Sequence, residues 1–331
     1  MQSNRQGSRV TIDPTAFERY RQSANEWTTL PRLLFGTAIT VALWVGMTLA
    51  VLFGGTYFYV IWQASIGGSP LAGGAVQNFL ASPQGVLTAL ATFAGIWLGL
   101  WIAMRWVHGE PLTALVGASR RVSWSGFLKG LVAVLITSLL SEILLYLLQP
   151  EIARGAISLS TWLLFLIPIV ALTLLQTSSE EALFRGYLLR GLASRFNSPF
   201  IWALLPGLLF TSLHWSSSSS AAINACVLAS IAAFALLLTL LVYATGNLGA
   251  AFGAHLGNNL TGFLLISHQE SYSSFALFNA KPLEGPGWTT LDAMLIAGIG
   301  IVCSLLTILL LLHPRSPLKV ESDKAQPGES A

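Results

Sequence analysis

Long apolar stretches, each closed by helix-breaking residues, constrain this chain more than any other feature of its 331 residues. A helix rises 1.5 Å per residue, so about 20 mainly apolar residues cross the hydrocarbon core of a bilayer. Eight stretches reach or approach that length, at residues 32–62, 79–107, 126–149, 160–189, 199–216, 221–244, 247–267 and 289–312. Between them stand Gly67-Gly68-Ser69-Pro70, His108-Gly109-Glu110-Pro111, Gln149-Pro150, Asn197-Ser198-Pro199, a serine run at 216–220 and Gly285-Pro286-Gly287. Such combinations end or turn a helix. Only 9% of the residues are charged, against about 25% in a soluble domain. The expected fold is therefore all-α, a polytopic membrane helix bundle with about eight transmembrane helices. No internal repeat is visible, which disfavours the repeat-built transporter folds.

The basic residues orient this bundle. An even number of spans puts both ends on one side, together with Arg5, Arg9, Arg19, Arg21, Arg32, Arg105, Arg120, Arg121, Lys129, Arg190, Arg195, Arg315, Lys319 and Lys324. The opposite loops offer Arg154 and Lys281. By the positive-inside rule both termini are expected in the cytoplasm, and a bacterial protein of this kind would sit in the plasma membrane. Residues 1–31 read as a polar arm, 32–313 as the membrane domain, and 314–331 as a disordered tail. The first span is expected to act as its own insertion signal, since no cleavable signal peptide is evident. Cys226 and Cys303 both lie in apolar spans, where a thiol behaves as a small hydrophobe. A net charge of +3 gives no reason to expect a nucleic-acid partner. The oligomeric state is left open.

Polar residues inside these spans are the candidates for chemistry. Glu180 and Glu181 are adjacent within an apolar segment, with Arg185 one turn further on. A carboxylate at the centre of a membrane helix costs about 2.5–3.5 kcal/mol on insertion scales, and two side by side also repel. A helix that only had to span would not carry them. The next span holds Phe210-x-x-x-His214, and the seventh holds His255-x-x-x-Asn259. Spacing of i and i+4 puts His255 and Asn259 on one helix face, and Glu181 and Arg185 on another. Glu180 is turned about 100° from Glu181, so one carboxylate can face a cavity while the other faces Arg185. Glu180 lies 17 residues before Asn197 and His214 lies 17 after it. Both are thus about 25 Å from the same turn, level on two antiparallel helices. The expected site is in the cytoplasmic half of the membrane, reached by water from that side.

Glu-Glu-x-x-x-Arg, Phe-x-x-x-His and His-x-x-x-Asn, in this order on membrane helices, resemble the CAAX prenyl endoprotease and bacteriocin-processing (CPBP) family, also called Abi. The likeness covers residues 177–262, and Phe184-Arg185-Gly186 extends it. It implies an eight-helix intramembrane endopeptidase with Glu180, His214, His255 and Asn259 at its centre, and Glu181 with Arg185 in support. Its substrate would be a membrane-embedded or lipidated peptide entering from the bilayer.

The residue chemistry agrees. Amide hydrolysis needs an activated water, an oxyanion stabiliser and a proton for the leaving amine. A glutamate withdrawn from water suits the first and last, and His255 and Asn259 suit the second. Glu180, His214 and His255 are also a donor set for zinc with an open fourth position. There is no His-Glu-x-x-His motif, and a zinc-dependent and a metal-free route both stand open. Buried Glu, His and Arg also build proton relays, so a proton-coupled transporter is the alternative class, and a catalytically silent scaffold a third. Glu142, in the third span, either touches the site or snorkels to the outer surface. His108, His268 and His313, at loop edges, are expected to be inert. The serines at 216–220 are expected to form a polar turn, although they could be mistaken for a nucleophile source.

Overall fold

The computed structural model describes residues 14–67, 74–148, 150–268, 273–281 and 287–324. The expected breaks at Gly68-Ser69-Pro70, Gln149 and Gly285-Pro286 lie outside the described residues, as do Arg5 and Arg9. A short helix, α1 (Pro14–Gln22), precedes the bundle. The bundle comprises α2 (Leu30–Ser65), α3 (Pro83–His108), α4 (Trp124–Leu148), α5 (Leu159–Ala193), α6 (Phe200–Ser212), α7 (Ala221–Thr245), α8 (Gly249–Leu260) and α9 (Thr290–Leu312). It is a multi-pass helical membrane protein.

All eight apolar stretches contain helix, but among the described residues six helices are long and apolar enough to cross a membrane. The fifth and seventh, α6 and α8, fall short. The 12 residues of α8 cover about 18 Å. So short a helix is tolerated at membrane depth because Gly249–Gly257 is wholly buried in protein, where no backbone end meets lipid. Its closest partner is α4. A Cβ on Gly253 would collide with the carbonyl oxygen of Phe127, and one on Gly130 with that of Ala250. Small residues thus let the two backbones approach, as membrane helices do where close packing is the main source of attraction.

Three strands were not expected. β1 (Ile152–Arg154) pairs antiparallel with β3 (Phe278–Ala280), and β2 (Ile266–Ser267) pairs parallel with β3. The chain order puts this small sheet at the end of the bundle away from the termini.

At the other end, the polar arm and the tail are both seated in the fold. Phe17 and Tyr20 of α1 are buried, and the Tyr20 hydroxyl donates to the Leu115 carbonyl at 2.6 Å. Burial holds that phenol well above its usual pKa range, so it stays neutral and keeps its donor. Within the tail expected to be disordered over 314–331, the described residues run to Lys324 and pack on the bundle. Val320 is buried, Lys129 Nζ donates to the Lys319 carbonyl at 2.7 Å, and the Asp323 carboxylate accepts from Ser119 N at 2.9 Å. Arg19 Nη2 donates to the Asp323 carbonyl at 2.8 Å, which joins arm to tail. Polarity alone suggested loose ends, but these backbones find partners on the bundle.

Beneath α1 lies a buried ion pair, Arg190 Nη2 to Glu110 Oε2 at 2.7 Å. Glu110 Oε1 also accepts from Asn25 N at 2.9 Å, and Arg190 Nη2 donates to the Ser23 carbonyl at 2.7 Å. The pair therefore fastens the α1–α2 connection to α5. Removing one partner of a buried pair leaves the other charge uncompensated, at a cost of about 3–5 kcal/mol. Glu110→Ala is expected to lower the thermal unfolding midpoint of the detergent-purified protein clearly below wild type; an unchanged midpoint would show that the pair contributes nothing.

Candidate active site

The three polar clusters converge. α5 brings Gln176, Glu180, Glu181 and Arg185; α6 and the turn after it bring Phe210 and His214; α8 brings His255 and Asn259. Directly after the carboxylate pair, α5 widens into a π-helical stretch over Ala182–Leu189. A second π-helical stretch, Thr261–Leu265, follows directly on α8, just beyond Asn259. Such widenings recur at functional sites because they re-aim side chains within a continuous helix.

Glu181 and Arg185 are 0% and 1% exposed, with Nη1 to Oε1 at 2.9 Å. The guanidinium also donates from Nη2 to the Ala235 carbonyl at 3.0 Å and lies 4.7 Å from the Phe210 ring centre. The same Glu181 oxygen is 2.8 Å from His255 Nδ1. A carboxylate held by a guanidinium only accepts, so Nδ1 carries the hydrogen and donates. The other imidazole nitrogen, Nε2, is then directed at Glu180, 3.5 Å from its Oε2. His255 thus bridges the two carboxylates, donating to Glu181 and lying within ion-pair distance of Glu180.

Beyond this bridge a weaker polar chain continues. Gln176 Nε2 donates to Glu180 Oε1 at 3.5 Å, and its Oε1 accepts from Asn259 Nδ2 at 3.4 Å. Gln176 escaped the sequence reading. The available signal was a polar residue four positions before Glu180 in an apolar span, and therefore on the same helix face. His214 places Nδ1 at 3.0 Å from the Phe210 carbonyl, leaving Nε2 as its outward nitrogen. Phe210 packs edge-on to His255 and Phe184, with ring centres 5.8 and 5.3 Å apart, and is tilted against His214 at 4.9 Å.

Two cavities flank these residues. One of about 200 Å³ is lined by Glu180 and His214 among mostly apolar side chains, including Trp44, Phe93 and Leu183. The other, about 430 Å³, is lined by His255, Asn259 and Asn258. Gln176, Phe210 and His214 line both. All six candidate residues are accordingly gathered: Glu180, Glu181, Arg185 and His255 by direct contact, Asn259 through Gln176, and His214 through the shared cavities. Asn258, three residues beyond His255, also lines the larger one.

Among the described residues, no three His, Cys, Asp or Glu side chains are gathered closely enough to hold a metal ion. Glu180, His214 and His255 therefore do not fit a zinc site as arranged here, and both nitrogens of His255 already address carboxylates. Glu142 does not reach the site: it pairs with His268 at 3.0 Å in a separate small cavity near the sheet. His268 is thus engaged, and so is buried His108, whose Nε2 is 2.7 Å from the Tyr187 hydroxyl. Every residue from Glu181 to Ala193 is buried, so packed protein covers the site toward the termini. Water is expected by another route, along the larger cavity. The serine run is a turn, with Ser220 capping α7 by accepting from Ile223 N.

The Arg185–Glu181–His255 arrangement has a testable consequence. Arg185→Ala would strand the Glu181 charge in protein, an uncompensated loss of about 3–5 kcal/mol. The expected result is a large drop in thermal stability, with the double variant Arg185→Ala/Glu181→Ala recovering part of it. A double variant as unstable as the sum of the two single variants would show that the pair is not coupled.

The sequence signature of the type II CAAX prenyl endopeptidase Rce1-like family matches residues 160–261. That range runs from the start of α5 to the first residue beyond α8 and includes every residue of the polar cluster. The chain is also 24% identical over 211 residues to the uncharacterized protein YyaK of Bacillus subtilis (strain 168), an alignment covering 61% of this chain and 70% of that one. No solved structure matches the chain. This signature lies over the converged Glu, His, Arg and Asn residues, so residues 160–261 are similar to the type II CAAX prenyl endopeptidase Rce1-like family.

Proposed function

We propose that this protein hydrolyses a peptide bond of a membrane-embedded or lipid-modified peptide, using water activated by Glu180. The observation that carries the reading is the division of labour between adjacent carboxylates. Glu181 is neutralised by Arg185 and fixes His255, while Glu180 is left without a cationic side chain of its own and lines a cavity. A proton relay of one carboxylate and one imidazole is thereby aimed at a space that a carbonyl can enter.

In the step this supports, the water oxygen bonds to the carbonyl carbon as Glu180 takes its proton. The carbonyl π bond becomes the oxyanion. Asn259 donates to that oxyanion from Nδ2, and His255 donates from Nε2 when that nitrogen carries a hydrogen. His214, with Nε2 outward, helps to hold the water. Collapse of the tetrahedral intermediate breaks the C–N bond, and the proton on Glu180 passes to the leaving amine. No step is routed through a metal. The positive-inside distribution supports an orientation with both termini in the cytoplasm.

General acid–base groups contribute about 10²–10⁴-fold and oxyanion donors about 10²–10³-fold. Glu180→Gln is expected to lower kcat on an S-farnesylated fluorogenic peptide into the first range, and Asn259→Ala into the second, both with unchanged thermal unfolding. Peptide fragments in membranes of cells carrying wild type or Glu180→Gln would identify natural substrates. Retained cleavage by Glu180→Gln would end this reading. Activity is further expected to survive exhaustive chelation, with elemental analysis confirming that the enzyme is metal-free; loss on chelation and recovery with zinc would require different chemistry.

A further inference from the structure

A groove of about 860 Å³ lies between α1, the start of α6, α7 and α9. It shares no lining residue with either cavity beside the candidate active site. One wall follows a single face of α7, where Leu236, Leu240 and Tyr243 stand at i, i+4 and i+7. Seven residues of helix rise about 10 Å, so this wall runs from the end nearest the termini toward the membrane interior. At that end Phe17, Trp202 and Tyr243 form an aromatic cluster, with ring centres 4.9, 5.0 and 6.0 Å apart. Aromatic side chains of this kind mark the membrane–water boundary.

Among the described residues, the charged side chains lining the groove are Glu18 and Arg21 of α1. Arg21 Nε donates to Glu18 Oε2 at 2.7 Å, and Nη1 donates to the Ala193 carbonyl and to Asn197 Oδ1 at 3.2 and 3.3 Å. Gln22 Nε2 donates to the same Glu18 oxygen at 3.4 Å. Arg21 Nη2 and Glu18 Oε1 have no partner among the described residues. A cationic donor and an anionic acceptor therefore stand side by side at the mouth of an apolar trough. A zwitterion with a phosphate and a primary ammonium can meet both through charge-assisted hydrogen bonds. A quaternary ammonium has no N–H to give Oε1, and an anionic head group would face the Glu18 charge with no cation of its own.

We propose that this groove binds a zwitterionic phospholipid with an ethanolamine head group, from the leaflet nearest the termini. Its phosphate sits on Arg21 Nη2, its ammonium on Glu18 Oε1, and one acyl chain lies along α7. Leu236 follows Ala235, whose carbonyl accepts from Arg185, so a chain seated there braces the segment of α7 that holds the buried guanidinium. Such binding requires no peptidase activity and is measured apart from it.

The test is native mass spectrometry of the full-length protein in detergent, titrated with phosphatidylethanolamine, phosphatidylcholine and phosphatidylglycerol of identical acyl chains. One phosphatidylethanolamine is expected to bind about fivefold more tightly than either of the others, the effect of one hydrogen bond at a partly exposed site. Glu18→Ala should bring the ethanolamine and choline lipids to equal affinity, and Ala203→Trp, which fills the trough, should abolish the tight site. Glu18→Lys should turn the preference toward phosphatidylglycerol, a gain that misfolding would not produce. Equal binding of all three lipids by wild type, which is ordinary annular contact, overturns the proposal. So does tighter binding of phosphatidylglycerol by wild type, or a preference for phosphatidylethanolamine that survives Glu18→Ala or Glu18→Lys. Displacement of the bound lipid by an equimolar S-farnesylated peptide would assign the groove to substrate and overturn it as well.

Discussion

The site depends on one buried interaction, the Arg185 guanidinium held against Glu181 with His255 on the same oxygen. An ionised carboxylate would not survive inside these helices without it, since the desolvation cost of a lone charge exceeds what packing returns. Held at Oε1 by both partners, while its Oε2 is buried without a partner, that carboxylate becomes a rigid acceptor. It dictates which nitrogen of His255 carries the hydrogen, and so which nitrogen faces Glu180. The pair supplies no reacting atom in the proposed step. Its contribution is to make one of two adjacent, chemically identical side chains structural, leaving the other free to exchange a proton.

The surrounding architecture holds that interaction at membrane depth. α8 is too short to span, but it is enclosed by protein on almost every side, and glycines at its contact with α4 bring the backbones close. Arm and tail close the end nearest the termini, with Tyr20 and the Arg190–Glu110 pair forming part of the seal. The site therefore communicates with its surroundings through two cavities, one mostly apolar and one lined by both polar and apolar groups.

Much of this was legible before any coordinates. Apolar length and breakers located the helices because bilayer thickness and helix rise leave little freedom. Intramembrane Glu, His, Arg and Asn marked the chemistry because each is costly there without a partner. The i, i+4 spacing of Glu181 and Arg185 led directly to their ion pair. That α6 and α8 are full spans is not confirmed by their length, and the reason is physical: hydropathy registers an apolar environment and does not distinguish lipid from protein. The same limit applies to the tail, whose polar composition concealed the backbone partners it finds on Thr245 and Leu311.

What local sequence could settle was which residues share a helix face, since helical periodicity is a property of the chain alone. Partner choice between helices was beyond it. That His255 meets Glu181 through Nδ1, that Gln176 links Glu180 to Asn259, and that Glu142 turns to His268 follow from how α4, α5 and α8 cross. Those crossings are set by close packing at glycines and by π-helical widenings, many residues away in sequence from the groups they bring together.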